Sequence, residues 1–186
     1  MRKGYCMSLK EKQQTIFQVA NSPYRLIEDS NNPQKIFEIL NHAIADEAVI
    51  SMKTKNAKWN LCRDGFSDLC NIYEIHLIQI NEIAVELADR ARMLHFQPIG
   101  SISDILAHSR LSETPGVVPD AFQLLSDHES IIRFFREDFR DCKNIYEEIC
   151  TSQILIKSIR LHEKMAWMLR SFSKNEKIID AYTVIN

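Results

Sequence analysis

Apolar residues recur every three or four positions along most of this chain, the spacing that places side chains on one face of an α-helix. Between residue 33 and about residue 60 the spacing is kept by Ile36, Phe37, Leu40, Ala43, Ile44, Ala48 and Met52. The sequence Asn31-Asn32-Pro33 just before them is typical of a helix start with proline in the first turn. The pattern predicts a first long helix, with Gly65 marking the turn that follows it.

A second long helix is predicted from Phe66 to about His95, where the same spacing continues without glycine or proline. Residues 97–100 contain a proline and a glycine and break the pattern. The serines that follow favour a short helix with Ser101 or Ser103 as its N-cap, because a serine hydroxyl can accept a hydrogen bond from a free N–H of the first turn.

Two more long helices are predicted in the C-terminal half. The third begins after Pro119-Asp120, and its apolar positions extend to Ile145 and Ile149, while the fourth runs from about Ile154 to Leu169. Four amphipathic helices of similar length predict an all-α four-helix bundle. The extra short helix then lies in a long crossover between the second and third long helices.

The composition is that of one globular domain. The chain has 186 residues, of which 45% are hydrophobic and 26% charged, with only 4 Gly and 5 Pro. We expect residues 1–30 to form an N-terminal tail or short helix, residues 31–172 the bundle and residues 173–186 a C-terminal tail. The sequence has neither a signal peptide nor a run of about 18 uncharged apolar residues, so we expect a cytoplasmic protein without a membrane partner.

The charge balance limits any contact with nucleic acid. A net charge of −2, from 23 basic and 25 acidic residues, predicts no general positive field. The local candidate for DNA binding is the N-terminal segment, which carries Arg2, Lys3, Lys10 and Lys12. These cations either keep a solvated chain end soluble, or make weak phosphate contacts that gain strength when they are multiplied across an assembly.

The cysteines, histidines and acidic residues give few metal-site signals on their own. The five cysteines are an odd number without a CxxC pair, which predicts reduced thiols. The six histidines are scattered, and none has Glu three residues before it, so the Glu-x-x-His motif of bundle-core di-iron proteins is absent. A solvated charged face near the turn between the third and fourth long helices is predicted for Asp138, Asp141, Glu147 and Glu148.

Three short segments stand at a consistent spacing. They are Lys58-Trp59-Asn60, Phe66-Ser67-Asp68-Leu69-Cys70 and Val85-Glu86-Leu87-Ala88-Asp89-Arg90. Together with the tryptophan segment at residues 163–168, they resemble the Dps family of ferritin-like mini-ferritins, whose patterns are His-Trp-Asn, Phe-x-x-x-His and Asp-x-x-Ala-Glu-Arg. The resemblance covers roughly residues 33–170.

The resemblance implies a dodecameric hollow shell that oxidises ferrous iron with peroxide, stores the ferric mineral and often shields DNA. It also implies an iron site across a two-fold interface, with two histidines from one subunit and carboxylates from its mate. The matching positions here are Lys58 and Cys70 facing Val85 and Asp89, with Glu74 as a further acid near the site. The side chains that can still bind a metal are therefore Asp89, Glu74 and Cys70.

The two other positions have lost their ligands. A lysine ammonium has no lone pair to give a metal, and Val85 removes both a ligand and a negative charge. We predict an impaired ferroxidase that binds no metal or another divalent ion, such as Zn²⁺ on Cys70 and Asp89. Lys58 has two interpretations: it pairs with Asp89 of the partner subunit, or it extends into solvent at the end of its helix.

Three functions are consistent with these residues. The first is a Dps-like shell subunit for iron and oxidative-stress protection, with a degraded inter-subunit site and DNA association through the tail. The second is an active iron-oxidising mini-ferritin with relocated ligands, which would be Asp89, Glu74, Cys70 and a histidine brought in by assembly. The third is a non-enzymatic helical shell or interaction subunit that co-assembles with an active paralogue.

Overall fold

The computed structural model describes residues 32–61 and 66–183, with side chains placed for residues 32–61 and 67–172. Within these ranges the regular structure consists of five helices: α1 (Pro33–Trp59), α2 (Phe66–Met93), α3 (Ile102–His108), α4 (Ala121–Asn144) and α5 (Ile149–Thr183). The all-α prediction is therefore confirmed. None of the described helices combines the length and the apolar character needed to cross a lipid bilayer.

Three helices begin at side chains that accept hydrogen bonds from the first turn. Asn32 caps α1 by accepting from the N–H of Lys35, with Pro33 in the first turn, as the sequence predicts. Ser101 caps α3. At the start of α4, Asp120 and the residue three positions later form a reciprocal capping box, which satisfies two N–H groups at once.

The boundary between α4 and α5 differs from the prediction. Helix α4 ends at Asn144, whereas the apolar pattern suggested that the third long helix continues through Ile149, which in fact begins α5. The chain cannot remain helical here because Glu147 has φ 56°, in the left-handed region. Helix α5 then continues to Thr183, through most of the segment 173–186 that the sequence analysis assigns to a tail.

The four long helices pack as a square. Helix α1 lies against α2 and α4, and α5 lies against the same two helices, so α1 faces α5 and α2 faces α4 across the two diagonals. Helix α3 packs against α1 and lies in the crossover that joins α2 to α4, as predicted. Large side chains that are fully buried between the helices include Leu40, Ile50, Ile80, Ile83, Leu87, Ile131, Phe135, Leu155 and Met165.

A partly buried arginine connects the crossover to the bundle. The Nε of Arg110 donates to Asp46 Oδ2 at 2.9 Å, and its Nη1 donates to Asp138 Oδ1 at 3.0 Å. Its guanidinium also lies 4.7 Å from the centre of the Phe134 ring. Asp46 is 0% exposed, so this cation neutralises a carboxylate that has no access to water. The contact positions the segment after α3 against α1 and α4.

The solvated acidic face predicted near the turn between α4 and α5 is wrong for two of its four residues. Asp138 is buried and paired with Arg110, and Glu148 is buried and pairs with Arg90 Nη2 at 2.9 Å. Asp138 lies on the face of α4 that packs into the bundle and Glu148 lies in the turn just before α5, and a basic side chain from another segment meets each of them. Sequence periodicity indicates the face of a helix but not the charge of its neighbours.

Replacement of Asp138 by Asn is expected to stabilise the protein in a pH-dependent way. Burial raises the pKa of Asp138 from 3.8 to about 6. The positive charge of Arg110 and the proximity of His42 lower this pKa, whereas the nearby Asp46 carboxylate raises it further. The carboxyl therefore binds a proton more readily in the folded state, and its contribution to stability falls as the pH rises from about 4 to about 6. We expect Asp138→Asn to raise the free energy of unfolding by about 1–3 kcal/mol at pH 7.5.

Urea unfolding at several pH values between 4 and 7.5 measures this effect. At pH 4 the gain should disappear, because the carboxyl of the wild-type protein is then protonated in the folded state. The matched control is Glu137→Gln, a neutralised acid at the preceding, exposed position of α4, which should leave the pH dependence unchanged. Parallel stability curves for the wild type and Asp138→Asn would contradict the assignment.

Candidate functional site

One half of the site implied by the resemblance lies where α1 ends and α2 begins. Lys58 is in the last turn of α1, and Cys70 and Glu74 lie one turn apart near the start of α2. The ammonium of Lys58 forms an ion pair with the Glu74 carboxylate of the same chain. This pairing within one chain was not predicted from the sequence. Cys70 is half-buried and remains a free thiol.

The other half lies further along α2. Val85 and Asp89 are exposed, one turn apart, and they line a pocket of about 460 Å³ together with Glu82, Glu86 and Met93. Fifteen residues separate Glu74 from Asp89, which is about 22 Å along a helix. A single chain therefore keeps the two halves apart, and a composite site requires a second copy.

The outward face of α2 is unusually apolar. Ile75, Ile78, Val85 and Met93 recur at helical spacing on this face and are 42–57% exposed. At the end of α1, Trp59 is 71% exposed. Large apolar side chains that share an exposed face are typical of a protein–protein interface. Trp59 therefore lies on the surface of the protomer and not in its core.

The donor set at these positions does not fit ferrous iron. The family site uses imidazole nitrogen and carboxylate oxygen, whereas Lys58 and Val85 supply no lone pair and Glu74 already holds the ammonium. In the part of the chain that the structure describes, no group of three or more His, Cys, Asp or Glu side chains is already gathered around one point. Asp89 and Cys70 are the remaining possible donors, because neither of them is paired with the Lys58 ammonium.

Other predicted residues lie outside the site or outside the described ranges. The candidate DNA-binding residues Arg2, Lys3, Lys10 and Lys12 fall outside the residues that the structure describes. Cys142 is buried, and burial raises the pKa of its thiol to about 12, which disfavours the thiolate form that reacts with oxidants and metals.

Four buried polar side chains that sequence reasoning missed meet in the centre of the bundle. We call them the core histidine cluster: Glu47 from α1, His76 from α2, His128 from α4 and His162 from α5, each 0% exposed. His162 Nε2 lies 2.7 Å from Glu47 Oε1, and His162 Nδ1 lies 2.9 Å from His128 Nδ1. The ring of His76 packs edge-on against that of His128, with 5.4 Å between their centres.

The hydrogen bonds of the cluster leave several polar atoms without a protein partner. His162 lies between Glu47 and His128: its Nε2 is hydrogen-bonded to Glu47 Oε1, and one of the two facing Nδ1 atoms of His162 and His128 donates to the other. Glu47 Oε2, His128 Nε2 and both nitrogens of His76 have no partner among the described residues. A buried polar atom without a hydrogen bond costs about 1–3 kcal/mol, so the cluster is destabilising unless something binds it.

Burial also determines the protonation of the cluster. It lowers the pKa of His76 to about 4, with nearby His162 adding to the shift. Burial, with His162 and His76, lowers the pKa of His128 well below 6.5. Burial raises the pKa of Glu47, although His162 opposes the shift. The imidazoles of His76 and His128 are therefore neutral near pH 7 and each keeps a nitrogen lone pair.

A signal for this cluster exists in the sequence. His76 lies between the buried residues Tyr73 and Ile80, at distances of three and four residues, and His128 lies likewise between Leu124 and Ile131. The spacing therefore places these histidines on the apolar faces of their helices. The prediction that the histidines are scattered is wrong for His76, His128 and His162. The sequence indicates which face of a helix each histidine lies on, but not the axial positions at which neighbouring helices pack.

Comparison with known proteins agrees with this architecture. A family model described as a ferritin-like domain matches residues 37–179. The chain is 32% identical over 149 residues to an uncharacterised low temperature-induced protein of Nostoc sp., an alignment covering 78% of this chain and 83% of that protein. It is 25% identical over 142 residues to DNA protection during starvation protein 2 of Bacillus anthracis, covering 75% of this chain and 97% of that protein.

Solved structures share the same fold. Dps from Thermosynechococcus elongatus has a TM-score of 0.71 at 22% identity, covering 75% of this chain and 90% of that chain. The dodecameric thioferritin from Bacteroides fragilis, a bacterioferritin-related protein, has a TM-score of 0.74 at 15% identity, covering 92% of this chain and 98% of that chain. The helix order, the segments at residues 58–60, 66–70 and 85–90, and these matches agree, and the chain therefore belongs to the ferritin-like family, as a Dps-type member.

Proposed function

We propose that this chain is a subunit of a Dps-like shell for protection against iron and oxidative stress, and that its inter-subunit ferroxidase site is degraded. The observation that carries the proposal is the ion pair between Lys58 and Glu74 at two positions of that site. An ammonium now occupies the region where the family binds a cation. The remaining role is that of a shell protein whose iron-oxidising activity is impaired.

Electrostatics supports the loss of iron binding. Two unit charges 4 Å apart near a protein surface interact by about 4 kcal/mol, and a divalent ion doubles that figure, so an ammonium at this distance strongly disfavours Fe²⁺. On the facing half, Val85 supplies an alkyl group where the family has a carboxylate, which leaves Asp89 alone. One carboxylate and the Cys70 thiol suit a softer ion better than ferrous iron.

The same surfaces support assembly into a homo-oligomer. The apolar outward face of α2, with Ile75, Ile78 and Val85, requires cover. The separation of Glu74 from Asp89 along α2 is bridged only when a second α2 packs against the first. A dodecamer is the arrangement that the family resemblance implies, and one structural neighbour is itself dodecameric.

The proposal includes DNA association through Arg2, Lys3, Lys10 and Lys12. A relative is named for DNA protection, and the net charge of −2 gives the protein no general attraction for phosphate. Repetition of a short basic segment around a shell would multiply weak contacts. Binding through the tail stays a prediction.

Native mass measurement with metal analysis tests the proposal. Purified protein is loaded with Fe²⁺ under anaerobic conditions, treated with peroxide and compared with a sample that receives no iron. We expect an assembly of twelve copies of this 21.7 kDa chain with little iron retained. Many irons per subunit would favour an active site with relocated ligands, and a mass of one or two chains would favour an interaction subunit that needs a paralogue. Either result would overturn the proposal.

A further inference from the structure

The core histidine cluster lies inside the protomer, whereas Val85 and Asp89 lie on the outward face of α2. One side chain comes from each long helix. Because α1 faces α5 and α2 faces α4 across the diagonals of the square, Glu47 and His162 approach the bundle axis along one diagonal and His76 and His128 along the other. The cluster is therefore a candidate binding site distinct from the inter-subunit positions on α2.

We propose that the core histidine cluster binds one divalent transition-metal ion of the Zn²⁺ type through His76, His128 and His162, while Glu47 orients His162. Neutral imidazole is the ligand that zinc, copper, nickel and iron ions share. Three imidazoles with a fourth position left for water or Glu47 Oε2 are a complete zinc environment. Both nitrogens of His76 lack a hydrogen-bond partner among the described residues, so either can offer its lone pair, and the facing Nδ1 atoms of His128 and His162 supply the other two.

The geometry needs little change between His128 and His162. Two nitrogens bound to one tetrahedral zinc, at about 2.0–2.1 Å each, lie roughly 3.3 Å apart. The two Nδ1 atoms are now 2.9 Å apart and share a proton. An ion that replaces this proton moves them apart slightly, and His128 then carries its proton on Nε2, which has no hydrogen-bond partner among the described residues.

The positions of the other groups are also compatible with a common ion. The ring centres are 5.1 Å apart for His128 and His162 and 5.4 Å apart for His76 and His128. Imidazoles that share one tetrahedral zinc have ring centres roughly 5 Å apart. Since no three donors of the described residues yet meet at one point, His76 has to turn about its side-chain bonds. The 2.7 Å contact of Glu47 with His162 matches the carboxylate–histidine arrangement that supports metal ligands.

Cobalt and zinc binding to the metal-stripped full-length protein tests the inference. Co²⁺ reports tetrahedral coordination in its visible absorption, and Zn²⁺ competition gives the affinity. Co²⁺ is added either to the folded protein or during refolding, because refolding lets the ion reach a buried site. We expect one Co²⁺ to bind per chain and to give a tetrahedral spectrum. His76→Gln and His128→Gln should each weaken binding at least about 100-fold, and Glu47→Gln about 10-fold or more.

The matched control is His42→Gln, which changes a half-buried histidine on α1 that donates to the carbonyl oxygen of His108. This variant should bind Co²⁺ like the wild type, as should Cys150→Ser. Circular dichroism and native mass check the folding of every variant. Absence of tetrahedral Co²⁺ in refolded wild-type protein, or binding by His128→Gln equal to that of wild type, would overturn the inference.

If a cluster variant fails to fold, histidine-specific ¹⁵N NMR of the wild-type protein replaces it. Zn²⁺ should shift the imidazole nitrogens of His76, His128 and His162, and leave those of His42 unchanged. A spectrum in which Zn²⁺ moves none of the three would sink the metal site. Because none of these measurements uses iron oxidation, their outcome is independent of the proposed shell function.

Discussion

Simultaneous replacement of Lys58 by His, Cys70 by His and Val85 by Asp is expected to raise the initial rate of ferrous-iron oxidation by at least about 100-fold over wild type. The first change removes the ammonium that pairs with Glu74, and the second supplies another imidazole. The third adds a carboxylate one turn before Asp89 on α2. The family's pattern of two imidazoles facing two carboxylates is then complete, provided that two α2 helices meet across the interface.

Peroxide consumption and the absorbance of the ferric product measure the rate, with native mass to confirm assembly. The matched control carries Lys58→Gln, Cys70→Ser and Val85→Asn, which have polar side chains of similar size but neither imidazole nor carboxylate. It should oxidise iron no faster than wild type. Equal rates for the restored protein and this control would mean that the two halves of the site do not face each other in the assembly.

Replacement of Arg110 by Ala is expected to lower the free energy of unfolding by about 3–5 kcal/mol. The substitution leaves Asp46, which is 0% exposed, and Asp138 without their common cation. A buried carboxylate without a partner is far more costly than the pair is stabilising. The contact of the guanidinium with the Phe134 ring is lost as well. The N–H of residue 110 still donates to Asp46, so the loss comes from the side chain.

Urea unfolding at neutral pH measures the change, and Arg136→Ala is its matched control. Arg136 pairs with Glu163 on the surface, where both side chains are about half exposed, and such pairs contribute about 1 kcal/mol or less. A loss for Arg110→Ala as small as that for Arg136→Ala would show that the buried network contributes nothing beyond a surface pair. The second substitution Asp138→Asn in the Arg110→Ala background should recover part of the loss, because it removes one unpaired charge.

The helices could be predicted because their signals are local. The start of α1 at Asn32 and Pro33, the N-cap Ser101 and the break around residues 97–100 each depend on neighbours within one turn of the chain. The end of α4 was missed for the same reason, since apolar residues continue across the turn at Glu147. Only the backbone conformation there separates one helix from the next.

The inter-subunit site stays a prediction, and the contacts of its residues could not be read from the sequence. The family resemblance assigned Lys58, Cys70, Val85 and Asp89 to that site. The pairing of Lys58 with Glu74 depends on how α1 and α2 meet, which spacing does not encode. The candidate DNA-binding residues of the N-terminal segment lie outside the residues that the structure describes, so their role stays a prediction.

The sequence by itself determined the all-helical bundle and the family, because helical periodicity, capping residues and motif spacing are properties of short segments. Only the tertiary structure decided which side chains become neighbours across helices. It placed Arg110 between Asp46 and Asp138, and it joined residues 47, 76, 128 and 162 into one buried cluster. Such contacts depend on the relative axial positions of four helices, and the free energy of packing the whole core sets those positions.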